Sequence, residues 1–158
     1  MVIVRCFPSV AAAKGCELHQ MDVRNSFLHG YLDEEVFMKM PPSFRSSDPH
    51  KVCRLRKSLY GLRQAPRQWF SKLSSKLLEY GFVQSYANYS LFTYYKDGKY
   101  MAFLVYVDDL VLTGNDSRTC SQVKDYLTQC FHIKDLRVLK YFLGLDVARS
   151  PKGIFLCQ

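Results

Sequence analysis

The 158-residue sequence lacks the marks of several protein classes. Its longest apolar runs fall well short of the ~18 residues that a membrane-spanning helix needs, and its first residues contain no signal-peptide core. It has neither repeats nor a low-complexity tract. Six cysteines are present, but they form no CxxC pair and no zinc-like grouping with the four histidines. We therefore expect an intracellular protein, cytoplasmic or nuclear, with free thiols, no membrane partner and no secretion.

Apolar and basic residues are what the sequence has in abundance. Hydrophobic residues make up 48% and aromatic residues 15%, which is enough for one domain with a packed core. Lys and Arg total 22 against 14 Asp and Glu, a formal charge of +8. A positive surplus of this size suits an anionic partner, and nucleic acid is the first candidate.

The order of predicted elements indicates an α+β fold, because strands and helices do not alternate regularly. One helix is predicted over 65–81, a second from Asp116 or Ser117 onward, and a weak first helix that Pro8 interrupts. A loop is predicted over 41–50. Short strands are predicted over 16–23, 35–40, 51–57, 101–106, 110–114, 131–136, 140–147 and 153–158.

The stretch FLVYVDDLVLTG, residues 103 to 114, places two adjacent aspartates between two apolar strands. Neighbouring side chains of a strand point to opposite faces, so Asp108 and Asp109 share a site only if the chain turns between the runs. Runs of similar length predict a hairpin with Val107 and Asp108 at its tip, although the usual Asn-Gly or Asp-Gly turn is absent. Carboxylates at such a junction are costly to desolvate, which favours a divalent cation. A chance pair on a surface loop is the alternative.

A third carboxylate, Asp22, ends the predicted strand in HQMDVRNSFLHG, just before a short helical turn and Gly30. Taken alone, a helix N-cap is an equal alternative for this residue. Together with Asp108 and Asp109, it completes a set of three carboxylates at two strand ends. Such a set suits two divalent cations, which align an attacking oxygen with a leaving phosphate.

Four motifs, YVDD, QMDVRNSFLHG, SLYGLRQAPRQWF and KYFLG, resemble in order and spacing the reverse transcriptase of copia-type long-terminal-repeat retrotransposons. The resemblance runs from about AAAKG to GIFLCQ and implies a palm-like antiparallel sheet backed by helices. It implies RNA-directed DNA polymerase activity, with an RNA or DNA template, a primer and deoxynucleoside triphosphates as partners. The implied cofactors are two Mg²⁺ ions, with Mn²⁺ as the substitute.

The resemblance also assigns roles to individual residues. Asp22, Asp108 and Asp109 are the implied catalytic residues and metal ligands, and the Val23 carbonyl assists them. The implied nucleotide-binding residues are Phe27, as a steric gate against a ribose 2′-hydroxyl, Tyr60, Gly61, Gln64, and Lys134 near the leaving pyrophosphate. The implied nucleic-acid-binding residues are Arg63, Arg67, and the primer-grip residues Tyr141, Phe142 and Gly144. The alternatives are a core position for Phe27, solvated charges for Arg63, Arg67 and Lys134, and an edge strand for the primer grip.

The sequence departs from the family pattern at several positions. Asn88 stands where Asp is usual, and Ser43 and Arg137 stand where Gly is common. The resemblance implies a single palm-centred domain over residues 1–158, with the upstream fingers and downstream ribonuclease H absent, so impaired polymerisation is expected. Other Pol domains are implied partners, and the virus-like particle is a location within the family. The alternative function is a non-catalytic nucleic-acid-binding remnant or interaction module.

Overall fold

The computed structural model describes residues 2–44, 48, 50–150 and 153–157. The helices are α1 (Val2–Ala13), α2 (Ala65–Tyr80) and α3 (Ser117–Phe131), and a 3₁₀ turn spans Ser26–His29. The strands are β1 (Glu17–Val23), β2 (Tyr31–Lys39), β3 (Val52–Lys57), β4 (Val83–Gln84), β5 (Leu91–Lys96), β6 (Lys99–Tyr106), β7 (Asp109–Gly114), β8 (Ile133–Val138), β9 (Tyr141–Phe142), β10 (Leu145–Ser150) and β11 (Gly153–Cys157). Within the described ranges, no helix is both long and apolar enough to cross a bilayer.

The backbone divides into two compact units. Unit 1 consists of residues 1–24 and 75–158, and unit 2 of residues 25–74. Unit 1 contains a six-stranded sheet in the order β4-β5-β6-β7-β1-β8 and a three-stranded sheet in the order β11-β10-β9, while unit 2 contains the hairpin β2–β3. The strand pairs are antiparallel. This mixture confirms the predicted α+β class, whereas a single domain over the whole chain stays a prediction.

The six-stranded sheet of unit 1 is buried on both faces at its centre. On one face, Phe103 pairs with Leu112, and the ring of Phe82 meets the ring of Phe103 edge-on at 6.1 Å. On the other face, Leu104 pairs with Val111 and belongs to a core cluster that includes residues of α1. Two-sided burial explains why β6 and β7 are continuously apolar rather than alternating.

The two amphipathic helices form where the sequence predicts them. In α2, Trp69, Leu73 and Leu77 lie on one stripe and are fully buried. α3 begins after Asp116, whose carboxylate accepts hydrogen bonds from the backbone N–H of Thr119, at 2.8 Å, and from its hydroxyl. This capping satisfies a helix donor that would otherwise lack a partner, and it fixes the start of α3 at Ser117.

Two predictions of local structure were wrong. Helix α1 continues through Pro8 instead of breaking there, because Val4, Phe7 and Ala11 bury one face of the helix in the core. That burial offsets the cost of a proline in a helix interior, about 3 kcal/mol. The predicted strand over 140–147 is in fact a hairpin, since Leu143 and Gly144, with φ of 50° and 85°, turn the chain between β9 and β10.

Unit 2 is built around the hairpin β2–β3 and the first part of α2. Val36 pairs with Leu55 and Met38 with Cys53, but most side chains of both strands are exposed. The predicted loop over 41–50 connects these strands, and its residues 45–47 and 49 lie outside the described residues. The β2–β3 hairpin therefore contributes mainly to the protein surface and little to a packed core.

Candidate active site

A two-residue turn, Val107 and Asp108, joins β6 to β7. The flanking residues Tyr106 and Asp109 are cross-strand partners, so the predicted hairpin and its tip are confirmed. Val107 has a φ of 57°, in the left-handed region that a β-branched residue rarely adopts. The backbone is therefore strained at the residue that turns the chain into the two aspartates.

The predicted third carboxylate lies on the neighbouring strand. Asp22 of β1 pairs directly with Asp109 of β7. Paired Cα atoms are about 4.5–5.5 Å apart and consecutive ones about 3.8 Å, so the Cα atoms of Asp22 and Asp108 lie within about 10 Å. The N-cap alternative for Asp22 is wrong, because it lies inside β1 and Asn25 occupies the cap of the 3₁₀ turn.

Four side chains form a row across this end of the sheet. Tyr106 of β6, Asp109 of β7, Asp22 of β1 and Lys134 of β8 are successive cross-strand partners. Directly opposed residues of antiparallel strands point to the same face, so the four share one face. We call these four residues the aspartate row. It places the exposed Lys134 next to Asp22, as its predicted role requires, and the role itself stays a prediction.

Asp109 responds electrostatically to both neighbouring aspartates. Partial burial raises the pKa of the Asp109 carboxyl above its ordinary value, and the negative charge of Asp108 raises that pKa further. A hydrogen bond from the side-chain amide of Gln20, at 3.5 Å, lowers the pKa, and the charge of Asp22 raises it. Ionising all three carboxylates therefore costs free energy that a bound cation would offset.

The oxygen atoms of this site are chemically suited to bind a divalent metal ion. Carboxylate and carbonyl oxygens are the ligands that Mg²⁺ and Mn²⁺ prefer. Across the part of the chain that the structure describes, no three His, Cys, Asp or Glu side chains converge closely enough to hold an ion together. Asp22, Asp108 and Asp109 are thus neighbours without a closed coordination shell, and metal binding by them and by the Val23 carbonyl stays a prediction.

Two of the predicted nucleotide-binding residues are in contact within unit 2. The rings of Phe27 and Tyr60 have centroids 4.8 Å apart and are tilted by 52°. Phe27 is half-buried and Tyr60 is exposed, so Phe27 combines a packing role with an accessible ring. Gly61 follows with a φ of 91°, a conformation that glycine adopts without steric cost.

The remaining predicted residues of unit 2 surround the start of α2. Arg63 and Arg67 are exposed, and Gln64 is half-buried. A cavity of about 300 Å³ is lined by Gln64 and Arg67 together with Asp33, Glu34, Gln68 and Ser71. Asp33 and Glu34 line this cavity together with Arg67, so it is mixed in charge, and phosphate binding by Arg63 and Arg67 stays a prediction.

An aromatic–cation group in unit 2 was missed by sequence reasoning. The ring of Tyr31 has the ammonium of Lys57 at 5.7 Å and that of Lys72 at 5.0 Å from its centroid. Both distances are within the range of cation–π attraction. The three residues are far apart in sequence, and no local pattern connects them.

The predicted primer-grip residues differ in accessibility. Tyr141 is 56% exposed, whereas Phe142 is 2% exposed and belongs to the core cluster with α1. The side chain of Phe142 therefore packs in the core, β9 is an edge strand of its sheet, and nucleic-acid binding by the Phe142 backbone stays a prediction. Gly144 is exposed in the β9–β10 turn, and nucleic-acid binding by Tyr141 and Gly144 stays a prediction.

The structure accounts for two of the three departures from the family pattern. The Asn88 side-chain oxygen accepts a hydrogen bond from the backbone N–H of Ser90 at 2.9 Å, as an aspartate would. Arg137 has a φ of 69°, which explains why glycine is common at this position. Nothing in the structure explains Ser43, which is exposed in a turn.

Comparison with known sequences decides the family. A family model described as reverse transcriptase (RNA-dependent DNA polymerase) matches residues 1–158. The chain belongs to the reverse transcriptase family. The resemblance of the four motifs is thereby confirmed. No solved structure matches the chain.

Relatives of this reverse transcriptase chain are retrotransposon polyproteins. The Pol polyproteins from transposons RE1 and RE2 of Arabidopsis thaliana are each 44% identical over 156 residues, 98% of this chain. The Pol polyprotein from transposon TNT 1-94 of Nicotiana tabacum is 36% identical over 152 residues, 95% of this chain. The chain spans 11% of the length of each of these relatives and corresponds to their reverse transcriptase region.

Proposed function

We propose that the aspartate row and Asp108 form the active site of an RNA-directed DNA polymerase, and that the six-stranded sheet of unit 1 is its palm. In the proposed reaction, a primer 3′-hydroxyl attacks the α-phosphate of a deoxynucleoside triphosphate and releases pyrophosphate. One observation carries this proposal, namely the direct pairing of Asp22 with Asp109 next to the hairpin tip.

Asp22, Asp108 and Asp109, with the Val23 carbonyl, would hold two divalent cations, Mg²⁺ or Mn²⁺. When bound, these cations stabilise the charge that develops on the transferring phosphate. Partial burial raises the pKa of the Asp109 carboxyl, and the negative charges of Asp108 and Asp22 raise it further. This clustering of like charges supports the assignment, because a site that holds cations gathers carboxylates. The short turn at Val107 and Asp108 fixes the carboxylates relative to β1 before any substrate arrives.

Other residues bind and orient the substrates in this proposal. The Lys134 ammonium, beside Asp22, donates a hydrogen bond and a proton to the leaving pyrophosphate. Phe27, braced by Tyr60, excludes a ribose 2′-hydroxyl and so selects deoxynucleotides. Gln64 contacts the nucleotide, and Arg63 and Arg67 bind phosphates of the template or primer.

Primer extension tests the proposal. The unmodified chain and its Asp108→Asn variant are compared on an oligo(dT)-primed poly(rA) template with Mg²⁺ or Mn²⁺. Because the resemblance implies impaired polymerisation, we expect weak incorporation by the unmodified chain. The variant should lose a further factor of at least about 100, the order found when a group that stabilises transition-state charge is removed. Asp125→Asn, at an exposed position of α3, is the matched control and is expected to keep full incorporation.

Metal binding supplies a second readout that does not depend on turnover. Mg²⁺ or Mn²⁺ should raise the melting temperature of the unmodified chain and of Asp125→Asn, but not that of Asp108→Asn, because ligand binding stabilises only a chain that retains the site. Equal incorporation and equal metal shifts in all three chains would refute the assignment. Such a result, combined with retained binding to primer–template, would favour the non-catalytic nucleic-acid-binding alternative.

A further inference from the structure

The loop formed by residues 85–90, between β4 and β5, presents two tyrosines to solvent. Tyr86 is 96% exposed and Tyr89 is 69% exposed. Tyrosine has a large apolar ring that is more often at least partly buried, so two such rings on one short loop form an unusual surface. We call residues 85–90 the tyrosine loop.

Hydrogen bonds hold the tyrosine loop in one shape. The side-chain amide of Gln84 donates to the carbonyl of Tyr89 at 2.7 Å, and the backbone N–H of Ser90 donates to the Asn88 side chain at 2.9 Å. The backbone N–H of Ser85 donates to the carbonyl of Leu91 at 2.9 Å, which closes the base of the loop. The exposed rings are therefore carried on an ordered backbone, and binding would not have to pay for ordering it.

Strand register places the tyrosine loop at the same end of the sheet as the aspartate row. Leu91 pairs with Leu104, and one residue further the backbone N–H of Val105 donates to the carbonyl of Ser90 at 2.9 Å. Ser90, the last residue of the tyrosine loop, therefore lies beside Val105, which precedes Tyr106, the outermost member of the aspartate row. Neighbouring strands are about 4.7–4.9 Å apart, so β5 lies about 10 Å from β7, which carries Asp109.

We propose that Tyr86 and Tyr89 form a stacking platform for unpaired bases of a single-stranded nucleic acid that extends from the aspartate row. Every base offers a π-face, so aromatic side chains bind single strands without needing a sequence. A duplex keeps its bases stacked on one another and offers such rings only its edges and backbone. The platform rests on the proposed function, since it extends the same site along the sheet.

The charge of the chain favours nucleic acid over a protein as the occupant. Unit 1, which carries both the aspartate row and the tyrosine loop, has 13 Lys and Arg against ten Asp and Glu, a positive surplus that attracts a polyanion. A single strand bound near the aspartates would pass the tyrosine loop within a few nucleotides. An aromatic patch that continues an active site on an ordered loop is suited to guide the strand on which that site acts.

Binding measurements on the full chain test this platform. Fluorescence anisotropy of labelled oligo(dT) and oligo(rA), in EDTA and without nucleotides, is compared for the unmodified chain and the double variant Tyr86→Ser/Tyr89→Ser. We expect the Kd for both single strands to rise at least about tenfold, since stacking contributes about 1–3 kcal/mol per base. The slope of log K against log salt should stay unchanged, because no phosphate contact is removed.

Two controls separate stacking from other effects. Tyr86→Phe/Tyr89→Phe keeps both rings and should retain the unmodified Kd. Tyr95→Ser removes a tyrosine that is 78% exposed on β5, near the end that pairs Lys96 with Lys99, and it should also leave the Kd unchanged. An unchanged Kd in the double serine variant, or an equal loss in Tyr95→Ser, would overturn the proposal. An equal loss on a duplex of the same length would also overturn it.

The result is independent of whether the aspartates catalyse nucleotidyl transfer. The binding buffer contains EDTA and no nucleotides, so the measurement requires neither a bound cation nor turnover. A failure of primer extension with retained, tyrosine-dependent binding would refute the proposed catalysis and leave the platform standing. Primer extension that is lost in Asp108→Asn, combined with binding that does not depend on the two tyrosines, would support the proposed catalysis and refute the platform.

Discussion

The two compact units divide packing and charge unequally. Residues 25–74, unit 2, contain nine Lys and Arg against four Asp and Glu, whereas unit 1, more than twice as long, contains 13 against ten. The central residues of β6 and β7 in unit 1 are buried, while β2 and β3 of unit 2 are largely exposed. The acidic site thus lies on a rigid, packed sheet, and the denser positive charge lies on accessible strands. Buried strands hold reactive side chains in a fixed geometry, whereas exposed basic strands are suited to contact a polyanion.

The largest expected difference between the units is in the loss of stability caused by substitutions of apolar residues. Leu112→Ala in β7 removes a fully buried side chain and should lower the free energy of unfolding by about 2–5 kcal/mol. Leu55→Ala in β3 removes a half-buried side chain and should cost less than about 1.5 kcal/mol. Urea denaturation measures both losses. Equal losses would show that the β2–β3 hairpin is as tightly packed as the sheet.

Substitutions of charged residues should affect nucleic-acid binding more strongly in unit 2 than in unit 1. Arg63→Gln in unit 2 should weaken nucleic-acid binding and reduce the slope of log K against log salt by about 0.7–0.9, the value for one lost phosphate contact. Arg118→Gln on α3 of unit 1 removes the same charge from another exposed position and should change the slope much less. Titration at several salt concentrations gives both slopes, and equal slopes in the two variants would mean that only the total charge matters.

Removing one carboxylate from the aspartate row should stabilise unit 1. The pKa of Asp109 is raised in the folded chain, so the folded chain binds more protons than the unfolded chain just above the ordinary pKa of 3.8. Stability contributed by this group is therefore lost as the pH rises through the folded pKa. In EDTA, Asp109→Asn should melt at a higher temperature than the unmodified chain near neutral pH, and the advantage should vanish well below pH 3.8.

A surface carboxylate of unit 2 provides the contrast to that variant. Glu34→Gln, in the exposed strand β2, should shift stability by less than about 0.5 kcal/mol at either pH. Mg²⁺ should reduce the advantage of Asp109→Asn, because a cation stabilises the unmodified carboxylates. A destabilised Asp109→Asn chain at neutral pH would contradict the burial and the repulsion that raise the pKa of Asp109.

The smallest effect is expected at Arg137 in β8. Its φ of 69° costs a non-glycine residue about 1–2 kcal/mol, part of which glycine loses again through the entropy of the unfolded chain. Arg137→Gly should therefore raise the free energy of unfolding by about 0.5–1 kcal/mol. Arg137→Ala keeps the strained backbone conformation and should not raise the free energy of unfolding. Urea denaturation of the two variants therefore measures the contribution of backbone strain separately from the loss of the arginine side chain.

Much of the aspartate site could be predicted from sequence because its cause is local. The apolar runs on either side of Asp108 and Asp109 have similar lengths, which determines where the chain must turn. Asp22 ends a recognisable strand, and pairing with β7 is the simplest way to bury that strand. The helices α2 and α3 were predictable for the same reason, since each has an apolar stripe and a start signal.

The parts that were missed depend on tertiary contacts. β4 and β5 lie in FVQSYANYSLFTYYK, where Ser, Asn and exposed Tyr obscure the alternation of a strand. The burial of Phe142 depends on α1, which is distant in sequence. The alignment of Lys134 with Asp22 depends on strand order β1–β8, and the exposure of Tyr86 and Tyr89 depends on the β4–β5 loop. None of these relations is written in a local pattern.

The two-residue length of the turn at Val107 and Asp108 has a genetic consequence. A single codon inserted there would shift β7 by one position, and each side chain of the strand would exchange faces. Asp108 would then stand opposite Asp22, and Asp109 would take the buried position of Leu110, opposite Met21 and Val105. A substitution in this turn changes one side chain, whereas an insertion would disrupt both the aspartate site and the core. We therefore expect the turn to keep its length of two residues in retrotransposons that encode an active polymerase.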